Sequence, residues 1–330
     1  MLITQAERDC QAGKATVVPI HPLVSAFWTP QSPCREYRAV IRELRREDAE
    51  AVAQLALSVN PHRIETAELI WQRSSTAPRE AHRRDWVAEA GGEIVGHAHA
   101  RFQSAPGAAH FWIGVCPERR GSGIGSELYA IVEAHVRPAG ARRLRTWVDG
   151  DPAGERFVRR RGFELRSVDR VSEVDPRTIE LALPELDSSG LRLVPLAETL
   201  DQVGALFEAC RAGDIDLPED LREWLWDELE HPNLSPEGSF VVLDGERPVS
   251  LAFLTVDPKR RVAYNVLTAT FPDFRRRNLA LLVKLASARW AAEAGIERML
   301  TENDSENASM LALNERLGYR PLYDQGIWVL

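Results

Sequence analysis

Between Phe111 and His135 an apolar run, Phe111-Trp112-Ile113-Gly114-Val115, passes through Cys116-Pro117-Glu118-Arg119-Arg120-Gly121-Ser122-Gly123-Ile124-Gly125 and enters a periodic segment. Gly121, Gly123 and Gly125 let the backbone come close to a ligand and aim several N–H groups at it, at the positive end of a helix. Arg119 and Arg120 add countercharge, so the chemistry this stretch can do is to hold an anionic phosphate, best a diphosphate. A dinucleotide fingerprint would need a glycine where Ser126 stands. A nucleotide P-loop would need Gly-Lys-Ser/Thr, and no lysine is present.

Two elements must position that loop. The run ending at Val115 is short, aromatic and β-branched and is closed by Pro117, which predicts a buried strand. Ile124, Leu128, Ile131, Val132 and His135 fall at helical spacing, and Pro138 with Gly140 marks the stop, which predicts a helix. Upstream, the spacing predicts a strand at Val40–Leu44 and helices from near Glu47 and over Thr66–Arg73. Strands follow at Asp85–Ala90 and Ile94–Ala100, joined by a turn at Gly91-Gly92. Downstream come a strand at Arg145–Val148, a short helix from Pro152 to Arg161, and a strand opening at Gly162-Phe163.

Beyond Pro184–Gly190, which reads as a linker, the pattern begins again. Arg192 answers Arg42, Gly245-Glu246 answers Gly91-Gly92, Arg275 answers Arg120 and Gly318-Tyr319 answers Gly162-Phe163, at offsets from about 150 to about 156. The second copy has a strand at Val262–Thr270, a loop Arg275-Arg276-Arg277-Asn278-Leu279-Ala280, and a helix with Leu282, Val283, Ala286 and Trp290 on one face. Asn278 stands where the first loop has Gly123, and Asn tolerates left-handed backbone better than other residues that carry a side chain.

The strand, then Val115-x-Pro117 and Arg120-x-x-Gly123-x-Gly125, resembles the coenzyme A pyrophosphate loop of the GNAT (GCN5-related) N-acetyltransferases. Thr301-Glu302-Asn303, Asn307, Met310, Asn314 and Leu317-Gly318-Tyr319 resemble the end of the second module in tandem members. The resemblance implies an α/β (α+β) chain of two tandem GNAT folds, each a mixed, mostly antiparallel twisted sheet flanked by helices. The expected division is an N-terminal arm over residues 1–38, a first domain over 39–183, a linker over 184–190 and a second domain over 191–330.

The implied activity is transfer of an acetyl group from acetyl-CoA to an amine of a small molecule or peptide, by direct attack in a ternary complex. Acetyl-CoA is then the cosubstrate, with no metal. The implied coenzyme contacts are Ile113, Val115, Arg120, Gly121, Ser122, Gly123, Ile124, Gly125 and Ser126 in the first copy. In the second they are Arg275, Arg276, Arg277, Asn278, Leu279, Ala280, Asn303, Asn307 and Asn314, with Asn307 opening a helix beside the pantetheine arm.

Polarising a thioester carbonyl needs only backbone N–H groups on the strand before the loop, where Gly114 could permit a bulge. The amine must lose a proton and the departing thiolate must gain one. Family members often use a tyrosine four residues before the final Gly-Phe; here Val158 and Asn314 stand at that place. In the second copy Glu302 is a candidate base, and Tyr264 or Tyr319 a candidate acid. In the first, His110 and Asp149 are candidates, while Cys116 reads as a buried inert thiol. The second copy is the expected catalyst. The alternative is an acyl-CoA-binding or regulatory protein without turnover in one or both copies.

Composition sets outer limits. The 330 residues suit two domains, with 44% hydrophobic and 27% charged content. A net charge of −8 and a pI near 5.6 disfavour nucleic acid as a partner. No apolar run approaches a membrane span and no signal segment is evident, so a cytoplasmic monomer or homodimer is expected. Cys10, Cys34, Cys116 and Cys210 show no Cys-x-x-Cys spacing, which argues against zinc and against a disulfide framework.

Overall fold

The structure, a computed structural model, describes residues 38–103, 107–186, 190–200 and 229–330. The expected arm, Cys10, Cys34, Cys210 and part of the linker lie outside the described residues. In the first half β1 (Val40–Glu43), α1 (Ala49–Val59), α2 (Ala67–Ser75), β2 (Arg84–Ala90), β3 (Glu93–Phe102), β4 (Ala108–Val115), α3 (Ile124–Val136), β5 (Arg143–Val148), α4 (Pro152–Arg159) and β6 (Glu164–Val174) follow one another. The second half runs β7 (Leu191–Pro195), β8 (Phe240–Asp244), β9 (Arg247–Asp257), β10 (Val262–Thr270), α5 (Leu279–Glu293), β11 (Arg298–Asp304), α6 (Ala308–Arg316) and β12 (Arg320–Val329).

All these strands join in one 12-stranded sheet, in the order β1-β2-β3-β4-β5-β12-β6-β11-β10-β9-β8-β7. The last strands of the two halves have changed places. β12 lies between β5 and β6, antiparallel to both, and β6 pairs with β11 of the other half. Only two neighbouring pairs are parallel, β4 with β5 and β10 with β11. Each stays paired for a short stretch, Ala108–His110 with Arg143–Arg145 and Val262–Asn265 with Arg298–Thr301, and then separates towards the glycine-type loop. A parallel pair that stops making ladder bonds leaves a wedge-shaped opening lined by backbone N–H and C=O groups.

The exchange also mixes the cores. Leu128, Val132 and Val136 of α3 pack with Phe111 and with Trp328 of β12, which is 1% exposed. Leu281, Leu285 and Ala288 of α5 pack with Val174, and Ile179 and Leu181 cover them. Ile179 and Leu181 lie past the last strand of the first half, β6. That strand ends at Val174, because the Asp175 side chain accepts a hydrogen bond from the Arg177 N–H and Pro176 has no N–H to continue the ladder. The segment then runs over α5 of the second half.

Candidate active site

The two loops share one backbone path. After β4 and β10, Pro117–Arg119 and Pro272–Phe274 each form a 3-10 turn. Arg120 (φ −64, ψ 148) and Arg275 (φ −64, ψ 160) are extended. Gly121 and Arg276 then take φ 80 and 63, and Gly123 and Asn278 take φ 96 and 59 as the caps of α3 and α5. Arg276 and Asn278 thus hold the left-handed conformation that glycine holds in the first loop, Arg276 at a cost on the order of 1–2 kcal/mol and Asn278 at less, because its short amide side chain tolerates that backbone. A Cβ at Gly121 or Gly123 would meet nothing within 4 Å, so the backbone angle, not crowding, calls for glycine there. Both arginines tie the loop to its strand: Nε of Arg120 donates to the Val115 carbonyl at 3.4 Å and Nε of Arg275 to that of Thr270 at 3.2 Å.

Around the first loop Ile113 and Val115 pack on the α3 core. The Ser122 hydroxyl closes the turn onto the Arg119 carbonyl, and Ser126 Oγ accepts from Arg161 at 2.8 Å. Arg120 also faces Asp151 at 3.2 Å, the residue that caps α4 by accepting from the N–H groups of Ala153 and Gly154. Around the second, Arg275, Arg276, Asn278, Leu279 and Ala280 line the same cavity as Asn303 and Asn307. Arg277 lies over the Phe274 ring at 5.3 Å. Asn307 caps α6, accepting from the Met310 N–H and the Ser309 hydroxyl. Asn314 is 3% exposed and donates to Asn303 Oδ1 at 2.7 Å, which fixes the Asn303 amide beside the cavity.

Tyr264 on β10 and Glu302 on β11 meet across the opening between these strands, the phenol donating to Oε2 at 2.9 Å. Burial and the Glu302 charge hold the Tyr264 phenol well above its ordinary range, so it stays protonated. Both line the cavity, whereas Tyr319, 5% exposed, belongs to the hydrophobic cluster under α5. The β10–β9 register shifts between Asn265 and Leu267, so Val266 is a bulge residue without a cross-strand partner. β4 pairs with β3 without any shift, and Gly114 has the Trp112 ring over it where a Cβ would be. The bulge expected at Gly114 is therefore found in the other copy, where a side-chain amide, not a glycine, stabilises it. Asn265 Nδ2 donates to the carbonyls of Phe253 at 2.9 Å and Leu267 at 3.1 Å.

The profile of the acetyltransferase (GNAT) family matches residues 38–163 and again 202–319. The chain belongs to the GNAT acetyltransferase family. It is 27% identical over 243 residues to a mycothiol acetyltransferase of Rhodococcus opacus (strain B4), covering 68% of this chain and 76% of that protein. Among solved structures it resembles a tandem GNAT protein from the clavulanic acid biosynthesis pathway (TM-score 0.69, 20% identity, 88% of this chain and 98% of that one). It also resembles a GCN5-related N-acetyltransferase from Sphaerobacter thermophilus (TM-score 0.65, 15% identity, 89% and 95%). No helix among the described residues is long and apolar enough to cross a membrane.

In the first GNAT repeat one candidate proton carrier, Asp149, is already engaged, and the other, His110, is buried. Asp149 accepts from Asn60 at 2.7 Å, pairs with Arg63 at 2.9 Å and accepts from Gln325 of β12. Burial raises its pKa, but Arg63 and these amides outweigh burial and hold it below the usual carboxylate range, which makes it a poor base. His110 is 6% exposed, kept neutral by burial and by the charge of Arg101, with Nε2 unpartnered among the described residues. Cys116 donates to Glu118 at 2.8 Å, and burial with that carboxylate pushes its thiol up to about 11, so it is no nucleophile at neutral pH.

One cluster was not foreseen. Asp85, His97 and His99 bring donor atoms within 4.8 Å of one another, a set whose types suit a metal. The Arg83 fork, however, takes both Asp85 oxygens at 2.9 Å, and burial together with the Arg83 charge keeps His99 well below its ordinary pKa. The local field is positive, which opposes a cation. The alternation His97-Ala98-His99 on one strand was the available signal.

Proposed function

We propose that this enzyme transfers an acetyl group from acetyl-CoA to an amine of a small-molecule acceptor by direct attack, and that the second repeat carries out the chemistry. The observation that carries this reading is the Tyr264–Glu302 pair at the mouth of the β10–β11 opening, beside the Val266 bulge and the Arg275–Ala280 loop. The left-handed residues of both loops fit a bound diphosphate, since they turn successive backbone N–H groups towards one point at a helix start.

Acetyl-CoA supplies the activated acyl carbon as a thioester. The loop backbone and Arg275, Arg276 and Arg277 hold the phosphates, and Asn303 and Asn307 orient the pantetheine arm. The backbone N–H at the bulge polarises the thioester carbonyl and stabilises the oxyanion as the amine adds. Glu302 takes the proton that the amine gives up, and Tyr264, kept protonated by burial and by Glu302, gives one to the departing sulfur as the C–S bond breaks. Tyr319 and Asn314 are packing and orienting residues in this reading.

The first repeat is read as binding without turnover. Its bulge is absent, Val158 is a core residue at 3% exposure, and Asp149 is held by Arg63. A small-molecule acceptor is supported by the relative named for mycothiol acetylation. The deciding experiment follows thiol release from acetyl-CoA over a panel of amines for the full chain, Gly123→Val and Asn278→Val. Activity kept in Gly123→Val and lost in Asn278→Val supports the second repeat; the reverse pattern makes the first repeat the catalyst.

A further inference from the structure

Lys284 lies on α5, below the place where β10 and β11 separate, and is 1% exposed. Among the described residues no carboxylate accounts for its burial. Its ammonium donates to Asn265 Oδ1 and, at 3.4 Å, to Thr301 Oγ1, and it lies 5.4 Å from the centre of the Tyr319 ring. Asn265 is in turn the residue that spans the bulge. Its amide nitrogen holds the Phe253 and Leu267 carbonyls, and its oxygen also accepts from Thr268 at 3.0 Å. Thr301 Oγ1 donates to the Asn265 carbonyl at 3.2 Å, closing the network across both strands.

The first repeat shows what happens without this arrangement. Phe111 occupies the place of Asn265, Tyr129 that of Lys284, and Phe163 that of Tyr319. Tyr129 makes edge-to-face contacts with Phe111 and Phe163 as part of an apolar core, and β4 stays in register. A buried lysine without an anionic partner is costly to keep, and a methionine would fill the same space more cheaply. Its retention beside the bulge is a reason to look for a task there.

We infer that Lys284 is a positioning residue: through Asn265 it fixes the β10 bulge so that the backbone N–H at Val266 stands ready to polarise the acyl carbonyl. This rests on the function proposed above. The groups that face the amine are the amide of Asn265 and, behind it, the Thr268 hydroxyl on β10, the Thr301 hydroxyl on β11, and Tyr319. Burial alone pushes its pKa down to about 7, so its charge changes within an accessible pH range, whereas the buried Tyr319 phenol is pushed above its ordinary value. Each protonation state gives the Asn265 oxygen a different donor.

The test uses the full chain with Val and Leu amides labelled with nitrogen-15, comparing wild type, Lys284→Met and Lys284→Gln. In wild type the Val266 and Leu267 amide resonances are expected to titrate with a midpoint near 7. In both variants they shift and no longer titrate. In the transfer assay Lys284→Met is expected to lower kcat at least tenfold while KM for acetyl-CoA changes less than threefold. Asn265→Ala added to Lys284→Met should bring little further loss, because both act through one contact. The glutamine variant keeps a donor and gives the same amide comparison if the methionine variant fails to fold. Amides that neither shift nor titrate overturn the inference, as does a kcat within twofold of wild type. A chain that acetylates no amine while its amides respond as stated refutes the proposed function and leaves the hold of Lys284 on the bulge standing.

Discussion

Replacing Trp328 by alanine should weaken the first half of the molecule although the residue is encoded two positions from the end of the second. Trp328 is 1% exposed and packs in the cluster of α3, β4 and β5, with the Arg159 guanidinium 4.5 Å from the ring. Truncating a buried aromatic side chain costs about 3–5 kcal/mol. The cation–ring contact adds on the order of 0.5–1 kcal/mol. Against this, Nε1 is buried without a partner among the described residues, so its removal returns about 1 kcal/mol or more. The net expectation is a loss of about 3 kcal/mol. Urea unfolding followed by far-ultraviolet circular dichroism, and by amide resonances of Leu128 and Leu285 as reporters of the two halves, checks it. Both reporters should move to lower urea together, since β12 is hydrogen-bonded between β5 and β6 and β6 is bonded to β11. A loss below about 1 kcal/mol, or a Leu128 transition that moves while Leu285 stays, would refute the claim that the exchanged strands join the halves into one cooperative unit.

Other outcomes follow from single sites. Burial raises the Asp85 pKa, but Arg83 and His97 outweigh it and bring it to about 2, so this carboxylate stabilises the fold above its ordinary pKa near 4 and the contribution fades as pH falls towards 2; the urea-stability gap between wild type and Asp85→Asn should be on the order of 2 kcal/mol at pH 6 and shrink progressively below pH 4. Arg63→Ala leaves the Asp149 carboxylate without its ion pair though still bonded to Asn60 and Gln325, and should cost about 1.5–3 kcal/mol in thermal or urea unfolding, with the deficit smaller in acid where Asp149 takes up a proton. Gly123→Ala meets open space but must hold φ 96, so stability should fall by about 1–2 kcal/mol in urea unfolding, with no change in the packing of α3 by amide exchange. Glu302→Gln should lower kcat about 10²-fold or more with KM for acetyl-CoA little changed, and an undiminished rate would remove Glu302 as the base.

Much of the architecture is written in the order of residues. Local rules place β4 and its loop: a β-branched aromatic run stopped by Pro117, glycines where the backbone must turn left-handed, and apolar residues at helical spacing through α3. The same rules, read at Asn278, anticipate a second loop of the same shape, because an asparagine side chain costs little in that conformation. The duplication is legible too, since Gly162-Phe163 and Gly318-Tyr319 end equivalent helices. Pairing between distant strands is not a local property. Nothing in the alternation of Ile327, Trp328 and Val329 says whether that strand lies beside β11 or between β5 and β6, as either neighbour offers the same hydrogen-bonding edge. The position of the bulge was equally out of reach: Gly114 offers freedom to bulge, but Asn265 forms one because Lys284, from a helix packed beneath, completes its hydrogen bonds. Spacing alone nominates Glu302, Tyr264 and Tyr319 alike, whereas tertiary packing puts the first two in hydrogen-bond contact at the cavity and the third in the core. Sequence thus determined which local conformations the chain takes up. The fold decided which of the reactive side chains face one another, because that depends on the sheet order that local energetics leaves open.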